Sequence, residues 1–360
     1  MINVTKPYLP PIDEYIKRLE KIWASGWLTN NGEMVLELEA KLAEYLGVPY
    51  IHYVSNGTIA IQIALRALEI QGEVITTPFS YVATTNSILW EHCQPVFVDI
   101  DAHTFCIDPK KIESAITERT QAILAVHVYG YPSDVETIEV IAKKYNLKVI
   151  YDAAHAFGCK LNGSSLLNYG DISTLSFHAT KLFHTVEGGA IVTHTPQMAD
   201  MINKMKSFGH LGDEYYILGV NGKNSEFHAA MGLCVLPNVT DIVKRRRSIC
   251  EMYNAELSGL GIVFSNIPQN YDYNYAYYPV VFQAEAQLLA VKQALNSNQV
   301  NPRRYFYPSL NTLPFLQTRQ SCPVSEDISS RVLCLPLYDG LEKQDVMRIS
   351  ALIKETLKSA

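Results

Sequence analysis

Short apolar, β-rich segments alternate with helical patterns between residues 51 and about 195, and this alternation constrains the fold most strongly. Strands separated by helices predict βαβ units and therefore an α/β domain with a mostly parallel sheet flanked by helices. The helical segments include Thr58–Leu68 and Val135–Tyr145, whose apolar residues recur at helical spacing. Seven strands are predicted: Ile51–Val54, Glu73–Thr76, Pro95–Val98, Ala122–His127, Lys148–Tyr151, Ile172–Phe177 and Ala190–Thr193.

The pattern changes beyond about residue 240. A strand region rich in Tyr, Asn and Pro, Tyr271–Phe282, lies among helical segments, which predicts a smaller α+β domain. These predicted helices are Ile242–Leu257, Glu285–Asn296 and Lys343–Lys358. Because 360 residues are enough for two domains, we expect a large domain at residues 1–240, with an N-terminal arm, and a small C-terminal domain at residues 241–360.

The charge balance argues against two classes of partner. The formal net charge is −6, whereas proteins that bind nucleic acid or anionic membrane surfaces usually carry a basic balance. We therefore predict neither partner. The one dense basic run, Lys244-Arg245-Arg246-Arg247, is interpreted as the solvated face of a helix, with a phosphate-facing patch as the alternative.

Seven scattered cysteines, an odd number without a Cys-x-x-Cys or zinc-like spacing, predict reduced thiols and no metal site. A cytoplasmic location fits this usage best. The N-terminal residues lack the apolar region of a signal peptide, and no stretch of 18 residues is free of charge or strong polarity. The sequence therefore predicts a soluble protein that is not exported by the usual route.

Two ionisable residues stand where strands of the predicted sheet end, which is where open α/β sheets bind ligands. Asp152 closes one strand, and its buried carboxylate would be satisfied by a protonated pyridine nitrogen. Lys181 follows another strand, and a partly desolvated lysine more readily provides the free amine that forms a Schiff base with an aldehyde. Taken alone, Asp152 is more commonly a helix N-cap and Lys181 a solvent-exposed lysine, and it is the pairing of the two that favours the chemical role.

A phosphate site is predicted at Asn56-Gly57-Thr58, because the helix that follows presents free backbone N–H groups and a hydroxyl. Ser176 is a second candidate phosphate ligand. A plain turn followed by a helix cap explains the same residues. Neither Gly-x-x-x-x-Gly-Lys nor Gly-x-Gly-x-x-Gly occurs, which disfavours enzymes of ATP, GTP and NAD.

Two rings near strand ends are candidates for contact with a planar cofactor. Tyr81 follows a turn at Pro78 and can stack on one face, with His155 on the opposite face. Core packing or an ordinary hydrogen bond is the alternative for each. Glu187-Gly188-Gly189 is interpreted as a tight turn into a strand, and no chemical role is predicted for it.

Together these segments resemble the nucleotide-sugar aminotransferases, a branch of the aspartate-aminotransferase superfamily of fold type I. The resemblance covers nearly the whole chain, in the order found in that family. It rests on Gly26–Gly32, Ser55–Thr58, Pro78–Thr84, Val126–Gly130, Asp152–Gly158, Gly170–Ser173, Ser176–Lys181 and Glu187–Gly189.

The resemblance implies pyridoxal 5′-phosphate (PLP) as the cofactor and a homodimer with shared active sites. It implies that Lys181 holds the cofactor as a Schiff base and acts in catalysis, and that Asp152 binds the pyridine nitrogen. The further cofactor-binding residues that it implies are Gly57, Thr58 and Ser176 at the phosphate, Tyr81 and His155 at the ring, and Asn221 from the neighbouring subunit.

Two segments depart from the family pattern. The family often has Tyr-Arg-Met after the asparagine, where this chain has Gly222-Lys223-Asn224. Its C-terminal Tyr-x-Pro-Leu-His corresponds here to Tyr307-Pro308-Ser309-Leu310-Asn311, which lacks the histidine. Contacts with the substrate are therefore expected to differ.

The activity implied is transfer of an amino group from L-glutamate to a nucleotide-linked keto-deoxysugar. The motifs look most like those of enzymes that convert dTDP-4-dehydro-6-deoxy-D-glucose to dTDP-4-amino-4,6-dideoxy-D-glucose. A 3-keto sugar, or one linked to UDP or GDP, is the alternative substrate. A PLP lyase, decarboxylase or desulfurase and a non-catalytic sensor are rival functions, while Lys181 argues against a sugar dehydratase.

Overall fold

A seven-stranded sheet forms the centre of the protein in the computed structural model, which describes residues 1–262, 267–317 and 319–359. The strands are β1 (Ile2–Asn3), β2 (Tyr50–Val54), β3 (Glu73–Thr76), β4 (Gln94–Phe97), β5 (Thr120–Val126), β6 (Lys148–Asp152), β7 (Lys160–Leu161), β8 (Ser164–Ser165), β9 (Ile172–Ser176), β10 (Gly189–Thr193), β11 (His210–Leu211), β12 (Glu214–Tyr215), β13 (Tyr271–Asp272), β14 (Pro279–Val281), β15 (Val300–Asn301) and β16 (Val332–Cys334).

Helices cover the sheet and build most of the C-terminal part. They are α1 (Ile12–Ser25), α2 (Glu33–Leu46), α3 (Gly57–Ala67), α4 (Ala83–Trp90), α5 (Pro109–Ile112), α6 (Val135–Tyr145), α7 (Pro196–Met205), α8 (Glu226–Val235), α9 (Val239–Leu257), α10 (Glu285–Ser297), α11 (Pro323–Arg331) and α12 (Lys343–Ser359). Over the described part of the chain, none of them combines the length and the apolar character needed to cross a bilayer.

The strand order in the central sheet is β2-β10-β9-β6-β5-β3-β4. The pairs from β9 to β4 are parallel, and only β10 runs antiparallel to both of its neighbours. The prediction of a mostly parallel seven-stranded sheet is confirmed. The ends differ slightly from the prediction, because His127 and Phe177 lie just beyond their strands and Asp152 is the last residue of β6.

Alternation along the strands explains why helices cover both faces of the sheet. In β5, Ile123 and Ala125 join one hydrophobic cluster, while Ala122 and Leu124 join another. Successive side chains of a strand point to opposite faces, so both faces of the sheet are apolar and each needs a cover. One cluster includes residues of α2, α6 and α8, and the other includes residues of α3, α4 and α7.

A third cluster, built around α9, α10, α12, β14 and β16, forms the core of the C-terminal part. The N-terminal residue Ile2 belongs to it, because β1 pairs with β15. The division of the chain into domains of residues 1–240 and 241–360 stays a prediction.

The predicted strand region Tyr271–Phe282 is wrong in its middle, since only β13 and β14 form there. The residues between them use side chains to bind carbonyl groups of the large sheet's loops. Asn274 Nδ2 donates to the carbonyls of His155 at 2.9 Å and Phe157 at 3.0 Å, and the Tyr273 hydroxyl donates to that of Tyr129 at 3.1 Å. A tyrosine- and asparagine-rich segment thus forms an anchored loop.

The interpretation of the basic run as a solvated helix face is wrong for Arg246. This residue is only 4% exposed, and its Nη1 donates to the carbonyls of Ala276 at 3.0 Å and Tyr275 at 3.3 Å. Its neighbour Arg247 is on the surface and pairs with Glu251 one turn later. Arg246 therefore anchors the loop between β13 and β14 through the carbonyl groups of that loop.

A buried ion pair joins α2 to the segment after α7. Lys206 has a side-chain exposure of 1%, and its Nζ donates to Glu39 Oε1 at 2.7 Å and to the Tyr53 carbonyl at 3.3 Å. The same Glu39 oxygen accepts the Tyr53 N–H at 2.7 Å. Removal of one partner from a buried pair leaves the other charge uncompensated, which is strongly destabilising.

We expect Lys206→Met to lower the free energy of unfolding by about 3 kcal/mol, because Glu39 is then left in a poorly solvated position without a cation. Urea unfolding of the purified protein would measure the loss. Lys143→Met is the matched control, since Lys143 is 74% exposed and its ion pair with Glu139 lies on the surface. The control should change stability by less than about 0.5 kcal/mol. Equal effects of the two substitutions would contradict a stabilising role for the buried pair.

Candidate active site

A cavity of about 370 Å³ lies at the carboxyl ends of the parallel strands. Seven of the eight predicted site residues line it: Gly57, Thr58, Tyr81, Asp152, His155, Ser176 and Lys181. They come from segments as far apart in sequence as the start of α3 and the loop after β9. The C-terminal part closes the cavity with residues that include Tyr277, Arg303 and Phe306.

Asp152 ends β6 with its carboxylate buried at the floor of the cavity. Oδ2 accepts a hydrogen bond from the Thr84 hydroxyl at 2.8 Å, and Oδ1 accepts the Ala154 N–H at 3.1 Å. Burial raises the pKa of this carboxyl group, while the two hydrogen bonds and the charge of Lys181 lower it in part. The alternative of a helix N-cap is wrong, because the described residues 153–158 form turns rather than a helix.

Lys181 is half-buried on the wall of the same cavity. Its Nζ donates to the Tyr277 hydroxyl at 3.3 Å. Burial lowers the pKa of the amine, and the nearby Asp152 carboxylate offsets part of that effect. A larger fraction of this lysine is therefore neutral near pH 7 than of an exposed lysine, and the neutral form is the nucleophile.

The first turn of α3 meets the end of β9 at close range. The Asn56 side chain caps α3 by accepting the Ile59 N–H at 2.8 Å, so the predicted cap is present. Within the described residues, the N–H groups of Gly57 and Thr58 have no hydrogen-bond partner and remain available to an anion. Ser176 lies beside them, since a Cβ on Gly57 would stand 3.0 Å from the Ser176 Cβ.

Gly189, for which no chemical role was predicted, makes this approach possible. A Cβ at this position would lie 2.4 Å from the carbonyl carbon of Asn56 and 2.7 Å from the Gly57 nitrogen. Both are backbone atoms, so they cannot yield as a flexible side chain would. The glycine lets β10 run directly beneath the first turn of α3.

The two predicted ring contacts differ in burial. Tyr81 is 58% exposed at the cavity mouth, whereas His155 is buried. The Nδ1 of His155 accepts the Tyr129 N–H at 3.2 Å, which leaves the proton of the neutral ring on Nε2. Burial holds the pKa of His155 well below its usual range, and Phe306 stacks on the ring at a centroid distance of 5.6 Å.

Several lining residues were not predicted. Tyr305 and Phe306 follow a basic pair and were given no role at the cofactor. Thr84, which is not part of the lining but donates to Asp152, stood in the segment Pro78–Thr84 without a role. Tyr277 was hidden in the segment wrongly predicted as a strand. Asn311, which occupies the place of the family's histidine, is buried outside the lining and donates to Glu326 Oε1 at 2.7 Å.

Asn221 is the one predicted site residue that does not line the cavity. It is exposed, and its Oδ1 accepts a hydrogen bond from Lys223 Nζ at 3.0 Å. This position agrees with the expectation that its target belongs to another subunit, an expectation that the single chain does not test.

The residues of the cavity fit PLP. A buried carboxylate suits a cationic ring nitrogen, a half-buried amine suits the aldehyde, and two free N–H groups beside a serine hydroxyl suit the phosphate. No cluster of three or more His, Cys, Asp or Glu side chains that could hold a metal occurs in the described part of the chain.

Comparison with known proteins agrees with this chemistry. Residues 12–354 match the model of the DegT/DnrJ/EryC1/StrS aminotransferase family. The chain is 44% identical over 361 residues to a dTDP-4-amino-4,6-dideoxy-D-glucose transaminase of Shigella dysenteriae, with 98% of each chain covered.

Solved structures resemble the fold along nearly the whole chain. A structure of DesI in the presence of its TDP-sugar product has a TM-score of 0.94 and 31% identity, and the match covers 99% of this chain and 93% of that one. A structure of NtdA from Bacillus subtilis with bound cofactor PMP has a TM-score of 0.90 and 30% identity, with 96% and 82% covered. The resemblance noted in the sequence is thus confirmed, and the chain belongs to the DegT/DnrJ/EryC1/StrS aminotransferase family, whose members use PLP.

Proposed function

We propose that this enzyme transfers the amino group of L-glutamate to the C4 keto group of dTDP-4-dehydro-6-deoxy-D-glucose and releases dTDP-4-amino-4,6-dideoxy-D-glucose. The observation that carries the proposal is the convergence of the Lys181 amine and the Asp152 carboxylate in one cavity beside a free helix N-terminus. The choice of sugar is supported by the 44% identity, over nearly the whole length, with the transaminase of that name.

PLP, when bound, supplies an electron-poor ring that takes up the electron pair left at the substrate carbon. In the proposed arrangement, the Asp152 carboxylate holds the proton on the pyridine nitrogen. Thr84 and the Ala154 N–H orient that carboxylate. The N–H groups of Gly57 and Thr58 and the hydroxyl of Ser176 bind the phosphate at the positive end of α3.

Lys181 is proposed to move the proton between substrate and cofactor. Its Nζ is the one lysine nitrogen on the described lining of the cavity, and burial favours its neutral, proton-accepting form. His155 is neutral and fixed by the Tyr129 N–H, so it serves as a flat wall for the ring rather than as a base.

Arg303 is proposed to attract the anionic groups of the reactants. It lines the cavity, lies with its guanidinium carbon 5.2 Å from the centre of the Tyr305 ring, and forms no ion pair with any residue that the structure describes. L-glutamate brings carboxylates and a nucleotide sugar brings a diphosphate. A guanidinium binds either group through paired hydrogen bonds.

We also propose a homodimer in which Asn221 reaches the cofactor phosphate of the partner subunit. Support comes from the exposed apolar side chains in the segment just before Asn221, because monomeric proteins seldom expose so many together. They are Phe208, Leu211, Tyr215, Leu218 and Val220.

A cytoplasmic location is proposed because all seven cysteines are free thiols.

The two half-reactions can be separated by following the visible absorbance of the PLP-loaded protein. We expect L-glutamate to remove the band of the lysine-bound cofactor and the dTDP-4-keto sugar to restore it, with product identified by mass spectrometry. Restoration only by a 3-keto sugar or by a UDP- or GDP-linked sugar would replace the substrate proposed here. Release of another product without transfer of nitrogen would favour a lyase or decarboxylase.

Lys181→Ala should abolish turnover, with kcat at least about 10³-fold lower, because both the covalent anchor and the proton carrier are lost. Borohydride should no longer fix the cofactor to the protein. Lys143→Ala, which changes an exposed lysine, is the control and should keep both properties. Substantial residual turnover of Lys181→Ala would overturn the assignment.

Asp152→Asn should slow the glutamate half-reaction about 10²- to 10³-fold, since a neutral amide no longer keeps the ring nitrogen protonated. Stopped-flow absorbance in a single turnover measures this rate. The amide oxygen can still accept the Ala154 N–H, and the amide NH2 can donate to the Thr84 hydroxyl, so affinity for PLP should fall much less than the rate. A near-normal rate would contradict the proposed pairing.

A further inference from the structure

Tyr277 supplies the one side-chain hydrogen bond that the described residues offer to Lys181. The phenol oxygen lies 3.3 Å from Nζ. No motif singled out this residue, which comes from the loop between β13 and β14 rather than from the central sheet. The contact therefore joins the amine of the large sheet to the C-terminal part.

The phenol is held in place from several sides. Its ring packs edge-on against His155 with centroids 4.8 Å apart, and it also contacts Tyr129 at 5.6 Å and Tyr305 at 6.0 Å. Its own carbonyl lies 3.3 Å from the Tyr273 hydroxyl, which shares its single proton between this carbonyl and that of Tyr129. The Tyr277 hydroxyl is therefore held in one position by the packing of its ring and backbone.

A phenol is suited to a lysine that alternates between charged and neutral forms. Its oxygen accepts a hydrogen bond from the ammonium group, and its O–H donates to the lone pair of the free amine. Burial raises the pKa of Tyr277 itself, so the hydroxyl keeps its proton at any pH at which the enzyme would operate. Tyr277 can accompany both states of Lys181 without taking the proton.

We propose that Tyr277 is a positioning residue, whose hydroxyl holds the free amine of Lys181 where it takes up and returns the substrate proton. This inference rests on the proposed function, because it assigns Tyr277 a part in the same proton transfer. The amine of lysine ends a side chain with four rotatable bonds, and one fixed partner greatly reduces the positions that it visits.

The charged and titratable groups around the amine set its pKa together with Tyr277. Asp152 faces it from β6, Tyr81 from the turn before α4, and Tyr305 from the C-terminal part. The cavity is also lined by four further such groups, namely His155, His178, Glu187 and Arg303. All of them remain when the Tyr277 hydroxyl alone is removed.

Tyr277→Phe removes that hydroxyl and keeps the ring contacts. A hydrogen bond to a charged donor is stronger than one to a neutral donor, so its loss penalises the ammonium form more. In the PLP-free full-length chain, we expect the pKa of Lys181 to fall by about half to one unit, read from the pH profile of Lys181 acetylation by mass spectrometry. In the loaded enzyme, kcat should fall about tenfold at unchanged KM for glutamate, and the isotope effect with α-deuterated glutamate should rise.

Tyr253→Phe is the matched control, because it removes a buried phenol that donates to the Pro336 carbonyl at 3.1 Å, far from Lys181. It should lower Tm and leave the acetylation profile and the isotope effect unchanged. If Tyr277→Phe does not fold, incorporation of 4-fluorophenylalanine at 277 fills the space of the hydroxyl with a poor acceptor that cannot ionise, and it should shift the profile in the same direction.

An unchanged acetylation profile in the Tyr277 variants would overturn the proposal. A normal isotope effect together with a changed KM for glutamate in Tyr277→Phe would also overturn it, because that result indicates that Tyr277 acts through packing alone. Failure of the proposed function would look different. The wild-type enzyme itself would then not transfer nitrogen from glutamate to the keto-sugar, whereas the acetylation experiment on the PLP-free chain would still test the role of Tyr277.

Discussion

The geometry of the cavity depends on the close approach of two backbones at the start of α3. Gly57 passes over the Ser176 side chain, and Gly189 of β10 lies directly beneath Asn56 and Gly57. Because neither contact leaves room for a Cβ without displacement, the position of the free N–H groups is fixed by the sheet itself. The anion site is therefore as rigid as the three strands β2, β10 and β9 that support it.

The sheet also fixes the two charged groups of the cavity. Asp152 and Lys181 are each placed where burial opposes ionisation, and each partly restores the charge of the other. Thr84 and Tyr277 complete the arrangement from α4 and from the loop after β13. A cofactor with a cationic ring nitrogen compensates the buried Asp152 carboxylate, and its aldehyde converts the buried Lys181 amine to a Schiff base. Both costs of burial are then relieved by one molecule, which explains why these residue types suit PLP.

The sequence predicted what depends on periodicity and on strand ends. The sheet, its seven strands, and the gathering of Gly57, Asp152 and Lys181 at one edge all follow from those two signals. Tyr277 and Arg246 were missed because their positions depend on contacts between segments distant in sequence. A tyrosine-rich stretch has high β-propensity, yet Asn274 and the tyrosine hydroxyls bind loop carbonyls instead, and this tertiary bonding overrides the propensity. The roles of the lining residues, and Asn221 in particular, stay predictions.

The lining of the cavity extends from Asn56 to Phe306, and this span has a consequence for biosynthesis. A chain emerging from the ribosome presents the anion site and the lysine long before the wall that contains Tyr277, Arg303 and Phe306. Domains commonly form as units during synthesis, so the sheet can be complete while one side of the cavity is still open to solvent. Capture of the cofactor at that stage would lack the C-terminal wall, and tight retention is a property that the nascent protein acquires last.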